Sequence, residues 1–286
     1  MQRIIDTHIH IWNLTKCHYS WLEGDTSLLN NTFEIDDLEI PRKQAGISKG
    51  ILVQAANHLD DTDLMLQTCS TTDWIAGVVG WLPLTDPEAT ANLLQNKYLA
   101  NPYFKGCRHL IHTEADPGWL IQPAVIESLK ILASLHIPYD LVGVNSMHIA
   151  TALKVAETIP DLKMVFDHLN QPPIASKERS SEWHDLMKEA AAHKSFYAKI
   201  SGLGTASGNP LGWTTKDLQP YIEFAIENFG EDRCFFGGDW PVCLLAGKYT
   251  AIWEAYKEIV AAILDEQKQE KLFNKNAEIF YNLYPK

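Results

Sequence analysis

Three side chains near the start of the sequence are spaced for chemistry. In residues 3–12, RIIDTHIHIW, Asp6, His8 and His10 occupy every second position. On an extended strand that spacing puts all three on one face and leaves Ile5, Thr7, Ile9 and Ile11 on the other. Two imidazoles near the C-terminal end of such a strand suit a metal ion or the polarising of a reacting carbonyl, because neutral histidine is a common nitrogen ligand. Two further candidates lie far along the chain. His168 falls at the end of the apolar stretch LKMVFDHL. Strand neighbours point to opposite sides, so His168 rather than Asp167 is expected to face inward, being nearer the strand end. Asp239 closes RCFFGGD between Gly238 and Trp240, a partly desolvated place for a carboxyl that moves a proton. The plainer readings are solvated imidazoles on a half-exposed strand, a hydrogen-bonded core histidine and a carboxylate that caps the next helix.

Composition narrows the partner. The 286 residues fit one large α/β domain or two ordinary ones. With 24 Lys plus Arg against 36 Asp plus Glu the formal charge is -12, which repels nucleic-acid phosphates and anionic membranes and points to a small molecule. No apolar run approaches the ~20 residues of a membrane span. The chain opens directly on strand-like sequence without a signal peptide, so a cytoplasmic location is expected. Five scattered cysteines without CxxC spacing fit reduced thiols with no catalytic role. A homo-oligomer is compatible with these features.

The candidates need a scaffold that brings them together, and the periodicity supplies one. Besides the first, strand-length apolar runs lie at 50–55, 74–82, 104–111, 138–142, 162–169, 195–201 and 233–239. Helical patterns over 33–45, 60–73, 87–99, 123–135, 145–158, 182–193, 215–229, 248–264 and 266–283 fall between and behind them. Strands apolar on both faces imply a parallel sheet covered by helices. Eight such units predict an α/β fold, a TIM (β/α)8 barrel forming a single domain over 1–286, with a two-domain doubly wound sheet as the alternative. Reacting groups in such barrels sit at C-terminal strand ends, which places His8, His10, Gln54, Arg108, His109, Asp140, His168, Lys199 and Asp239 at one mouth. The loop at 12–32 is long enough to fold over it. Trp21, Trp81, Trp119 and Trp240 fall on the same side, where indole faces pack well against sugar carbons. Of five arginines only Arg108 and Arg179 fall near the mouth, fewer than a dicarboxylate substrate would want.

Four segments then carry a resemblance: IIDTHIH, VFDHLNQPP, FFGGDWPV and KNAEIFYNL. Together they resemble the amidohydrolase superfamily. Within it QAANHLDDTDLML, KGCRHLI, YAKISGL and GGDWPVC resemble the lactone hydrolases that act on sugar-acid lactones and on 2-pyrone-4,6-dicarboxylate. The resemblance implies that His8, His10, His168 and Asp239 hold one divalent metal ion, zinc being the expected one, or act without a metal. Members with two metals carry a bridging lysine at the end of strand four and usually a histidine at the end of strand five. This chain has Arg108 and His109 at the former and Asp140 at the latter, which argues against two metals.

The expected activity is hydrolysis of a neutral aldonolactone of the fucono, rhamnono or galactono type. Asp239 and His168 would be catalytic, with Arg108, His109, Trp21, Trp240, Lys199 and Gln54 against the substrate. The alternatives are metal-dependent decarboxylation of an aromatic or semialdehyde acid, or a barrel that binds a sugar acid without turnover. No GxSxG serine-esterase motif occurs, and GLGTASG at 202–208 lacks dinucleotide-loop spacing. Asp140, Asp239 and Glu114 offer carboxylates for glycoside hydrolysis, a reading with no use for three histidines.

Overall fold

A computed structural model describes residues 3–178 and 181–283; Arg179 lies outside the described residues. Eight strands follow in sequence order: β1 Ile5–Ile9, β2 Lys49–Val53, β3 Ile75–Gly80, β4 Phe104–His109, β5 Tyr139–Leu141, β6 Met164–Phe166, β7 Phe196–Ile200 and β8 Cys234–Phe236. Each pairs in parallel with the next. The ring closes just beyond β8, where Ile9 bridges Trp240 in parallel. There Asp239 N–H donates to the His8 carbonyl at 2.8 Å and His10 N–H to the Trp240 carbonyl at 2.7 Å. This is the expected TIM (β/α)8 barrel. No helix among the described residues is long and apolar enough to cross a membrane.

Apolar side chains on both strand faces give the barrel two cores. Ile5, Ile51, Val53, Val165 and Phe235 fill the interior, with Phe280 and Tyr281 closing it from below. A larger cluster, including Ile9, Leu52, Val78 and Phe236, fills the space between strands and helices. The helices start and stop where their sequences say they should. Asp86 accepts the Ala89 N–H ahead of Pro87, and Gly46 ends Glu39–Ala45 with φ 74°. The C-terminal pattern at 266–283 is broken into Glu266–Glu270, a wide turn at Lys271–Lys275, and Asn276–Phe280.

Two expectations about strand faces fail. The β1–β2 register slips between Asp6 and Ile9, so Asp6 does not share the face of His8 and His10. It accepts hydrogen bonds from Tyr249 Oη at 2.7 Å and Gly238 N–H at 2.8 Å, on the side of the outer helix Tyr249–Ile263. β6 ends at Phe166 rather than at 169. The next residues leave the strand, so alternation does not choose between Asp167 and His168, and both turn inward.

The glycines of FFGGD are what permit closure. A Cβ on Gly237 would stand 2.5 Å from His8 Cβ, and one on Gly238 2.5 Å from Asp6 Oδ2 and a Tyr249 ring carbon. Gly237→Ala must push β8 off β1 and is expected to cost about 1–3 kcal/mol. Urea unfolding measures it, and an unchanged midpoint would show that the seam has slack.

His148 gives the fold a pH dependence. It is buried in the first turn of Ser146–Thr158, and its Nδ1 accepts the Val144 N–H at 3.0 Å. Burial holds its pKa below the ordinary 6.5. A group with a depressed folded pKa that is charged only when protonated stabilises the fold above 6.5 and loses that contribution as pH falls toward the folded value. Melting temperature is therefore expected to drop from pH 6.5 to pH 5 less in His148→Asn than in the natural chain. Equal drops in the two proteins would remove His148 from the account.

Candidate active site

His8 and His10 leave β1 into the barrel mouth with their Nε2 atoms 3.1 Å apart. His10 Nδ1–H donates to the Val53 carbonyl at 2.7 Å, which leaves its Nε2 lone pair facing the floor. Asp239 Oδ1 lies 3.5 Å from His10 Nε2 and 3.8 Å from His8 Nε2. All three residues are buried, and one ligand atom from each falls within 4.8 Å of the others. Zinc bonds of about 2.0–2.2 Å in tetrahedral array put ligand atoms roughly 3.3 Å apart. The donor set therefore fits one divalent ion, and three protein ligands leave a position for water.

Backbone strain aims these groups. His168, Leu169, Asn170 and Gln171 run consecutively at φ 55°, 50°, 52° and 55°, and Asp239 sits at φ 58°. Left-handed backbone costs ~1–2 kcal/mol per non-glycine residue, and surrounding bonds hold it in place. Trp183 Nε1–H donates to the Leu169 carbonyl at 2.9 Å, and Asn170 Nδ2 to the Asn145 carbonyl at 3.1 Å. Gly202 makes room, since a Cβ there would fall 2.6 Å from His168 Nδ1.

His168 stands beside the donor set rather than in it. Its backbone N–H donates to Ser201 Oγ at 3.3 Å, and the same hydroxyl lies 2.9 Å from His168 Nδ1. In the tautomer that accepts the Ser201 hydroxyl at Nδ1, the ring carries its proton on Nε2, 3.9 Å from Asp239 Oδ1, and donates from there. Burial pushes the His168 pKa down and the His8 pKa well down, so both rings are neutral at pH 7.

Above this floor a cavity of about 240 Å³ opens. His10, Arg108, His168 and Asp239 reach it from below, and Trp21, Leu29, Val144 and Val242 are among its apolar walls. Arg108 Nη1 contacts Asp167 Oδ2 at 3.0 Å and His8 Nε2 at 3.2 Å, and Nη2 donates to the Gln54 carbonyl. Asp167, missed from sequence, is central. Burial alone would raise its pKa, but the positive neighbours led by Lys199 outweigh this and hold it well below the usual carboxylate range.

Several expected substrate contacts do not line the cavity. Lys199 is fully buried beneath the floor, bound to Asp140 and, at 2.8 Å, to Asp167, because it sits one residue before the end of β7. Asp140 is sequestered with it. Gln54 is buried, turning its amide to the Arg108 carbonyl at 3.2 Å. His109 is stacked on Trp119 at 3.9 Å, accepts the Trp81 indole N–H at 2.9 Å and pairs with Glu114 at 2.7 Å. Trp240 packs edge-on against Phe33. Of these aromatic expectations only Trp21 lines the cavity. His112, Gln171 and Thr205 line it unannounced, since loop residues carry no periodic signal.

A parallel barrel with an HxH pair leaving its first strand and an aspartate beyond its eighth gathers a metal-type donor set at one mouth. The Amidohydrolase family model matches residues 5–283, and the chain belongs to that family. It is 30% identical over 282 residues to the L-fucono-1,5-lactonase of Burkholderia ambifaria, covering 98% of this chain and 95% of that one. It is 26% identical over 297 residues to the L-fucono-1,5-lactonase of Burkholderia multivorans, covering 98% and 96%. The crystal structure of an amidohydrolase from Burkholderia multivorans with bound HEPES matches with TM-score 0.89 at 25% identity, covering 99% of this chain and 100% of that one.

Burial separates the deep charges from the peripheral ones. Asp167→Asn leaves Lys199 and Arg108 short of a counter-charge and is expected to cost about 3–5 kcal/mol, whereas Glu114→Gln, at a part-exposed pair, should cost under ~1 kcal/mol. Similar losses in chemical denaturation would contradict this ordering.

Proposed function

We propose that this chain is a carboxylic ester hydrolase that opens a neutral sugar-acid lactone, an aldonolactone of the fucono, rhamnono or galactono type. The observation that carries the reading is the meeting of His8, His10 and Asp239 at the base of a small cavity with largely apolar walls, which His10 and Asp239 line and His8 backs from beneath. The two lactonase relatives support the substrate class. Charge supports neutrality, because the guanidinium at the floor, Arg108, is already paired with Asp167, and a dicarboxylate would find little left to bind it.

His8 Nε2, His10 Nε2 and Asp239 Oδ1 would hold one divalent ion, zinc in this reading, which when bound supplies a Lewis acid for the lactone carbonyl and acidifies a water. The protein's own groups do the rest. Asp239 takes the proton of the attacking water and passes it to the ring oxygen as the ester bond breaks. His168 Nε2–H donates to the carbonyl oxygen as negative charge develops there. Arg108, fixed by Asp167 and the Gln54 carbonyl, orients the carbonyl from the other side. Trp21 and the aliphatic wall pack on ring carbons and exclude bulk water.

Proton transfer of this kind contributes about 10²–10⁴-fold, so Asp239→Asn is expected to lose that much in kcat with an unchanged circular dichroism spectrum. A pH-indicator assay over a panel of aldonolactones, with and without chelator, tests the reading. Proton release from at least one aldonolactone and none from 2-pyrone-4,6-dicarboxylate is expected. Carbon dioxide release from an aromatic acid, with every lactone inert, would overturn it.

A further inference from the structure

We propose that Lys199 is a positioning residue which, acting through Asp167, holds His8 in the tautomer that presents its Nε2 lone pair to the active-site floor. The proposal rests on the reading of His8, His10 and Asp239 as a donor set, and it assigns work to a side chain that does not line the cavity.

Lys199 sits among charges whose presence stability alone does not explain. Its ammonium binds Asp140 and Asp167 Oδ1 and lies 3.4 Å from His8 Nδ1. Asp140 also accepts from Tyr281 Oη at 2.7 Å, beneath the barrel floor. Asp167 Oδ2 takes Arg108 Nη1 at 3.0 Å. Two cations and two carboxylates cancel, and all four side chains are at most 3% exposed. Apolar side chains of similar volume fill such space with equal or better stability. Stability is therefore a weak reason for the cluster, and its effect on His8 is a stronger one.

His8 meets a group that can only donate at each ring nitrogen: Arg108 Nη1 at 3.2 Å from Nε2, and Lys199 Nζ at 3.4 Å from Nδ1. A neutral imidazole accepts at one nitrogen alone. The closer approach is at Nε2, and the acceptor facing Nδ1 is Asp167 Oδ1 at 3.5 Å. The proton therefore sits on Nδ1, and the Nε2 lone pair joins that of His10. Lys199 keeps Asp167 Oδ1 where this requires it. Without the ammonium, both Asp167 oxygens are free to turn onto the Arg108 fork, which withdraws the acceptor from Nδ1. His8 then shifts its proton to Nε2 and donates to His10 Nε2, 3.1 Å away, a tautomer with no lone pair for the site.

The charge-balanced double variant Lys199→Met/Asp140→Asn keeps one cation and one carboxylate, and Lys199→Gln serves as a second variant that retains a donor. Zinc calorimetry on the metal-free chain and ring-nitrogen NMR shifts of His8 are the readouts. Zinc is expected to bind about 10–100-fold more weakly in both variants, with the His8 proton moving from Nδ1 to Nε2, and Lys199→Arg is expected to restore both. Natural zinc affinity with the proton still on Nδ1, in whichever variant folds, would reduce Lys199 to a counter-ion. If the natural chain takes up no zinc, the donor-set reading fails instead, and the nitrogen shifts still decide the role of Lys199.

Discussion

The seam between the end of β8 and β1 is the contact on which the rest depends. Two backbone hydrogen bonds, from Asp239 N–H to the His8 carbonyl and from His10 N–H to the Trp240 carbonyl, join segments some 230 residues apart. They close the sheet, and closure removes the two edges that an open eight-stranded sheet would leave unpaired. The same bonds bring the Asp239 carboxylate against two imidazoles. Fold and site are thus one constraint, and glycine at 237 and 238 is its steric condition, because a Cβ at 237 would meet His8 and one at 238 the side chains of Asp6, Tyr249 and Trp253.

Asp6 shows how the seam is locked. It ties the His8 N–H, the Gly238 N–H and the Tyr249 hydroxyl together, linking β1, the end of β8 and an outer helix through one carboxylate. Burial raises its pKa to about 6, against the pull of those three donors. The slip in β1 that turns Asp6 outward also lets His8 and His10 face in.

At and beneath the floor the barrel departs from the aliphatic filling usual for the fold. Lys199, Arg108, Asp140 and Asp167 replace a layer of branched side chains with three linked ion pairs. Above them the wall is largely apolar, with His112, Gln171 and Thr205 as its polar members. This order puts the ion pairs below, the His8, His10 and Asp239 donor set between and a largely apolar cup on top.

The sequence by itself determined the number and order of strands and the barrel, and it placed His8, His10, His168 and Asp239 at one mouth, where the structure brings them together, because these follow from local periodicity and from the rule that strand ends share a mouth. It also held the glycines that close the ring, without saying why they were needed. The direction of individual side chains was decided only in three dimensions. Asp6 turned outward because β1 slips register against β2, and Asp167 turned inward because four left-handed residues end β6 early. Lys199 and His109 reached the expected end of the barrel and were then taken by Asp140 and Asp167 in one case, and by Trp81, Trp119 and Glu114 in the other. Such partners come from distant strands and loops, and alternation along one strand carries no information about which of them will arrive first.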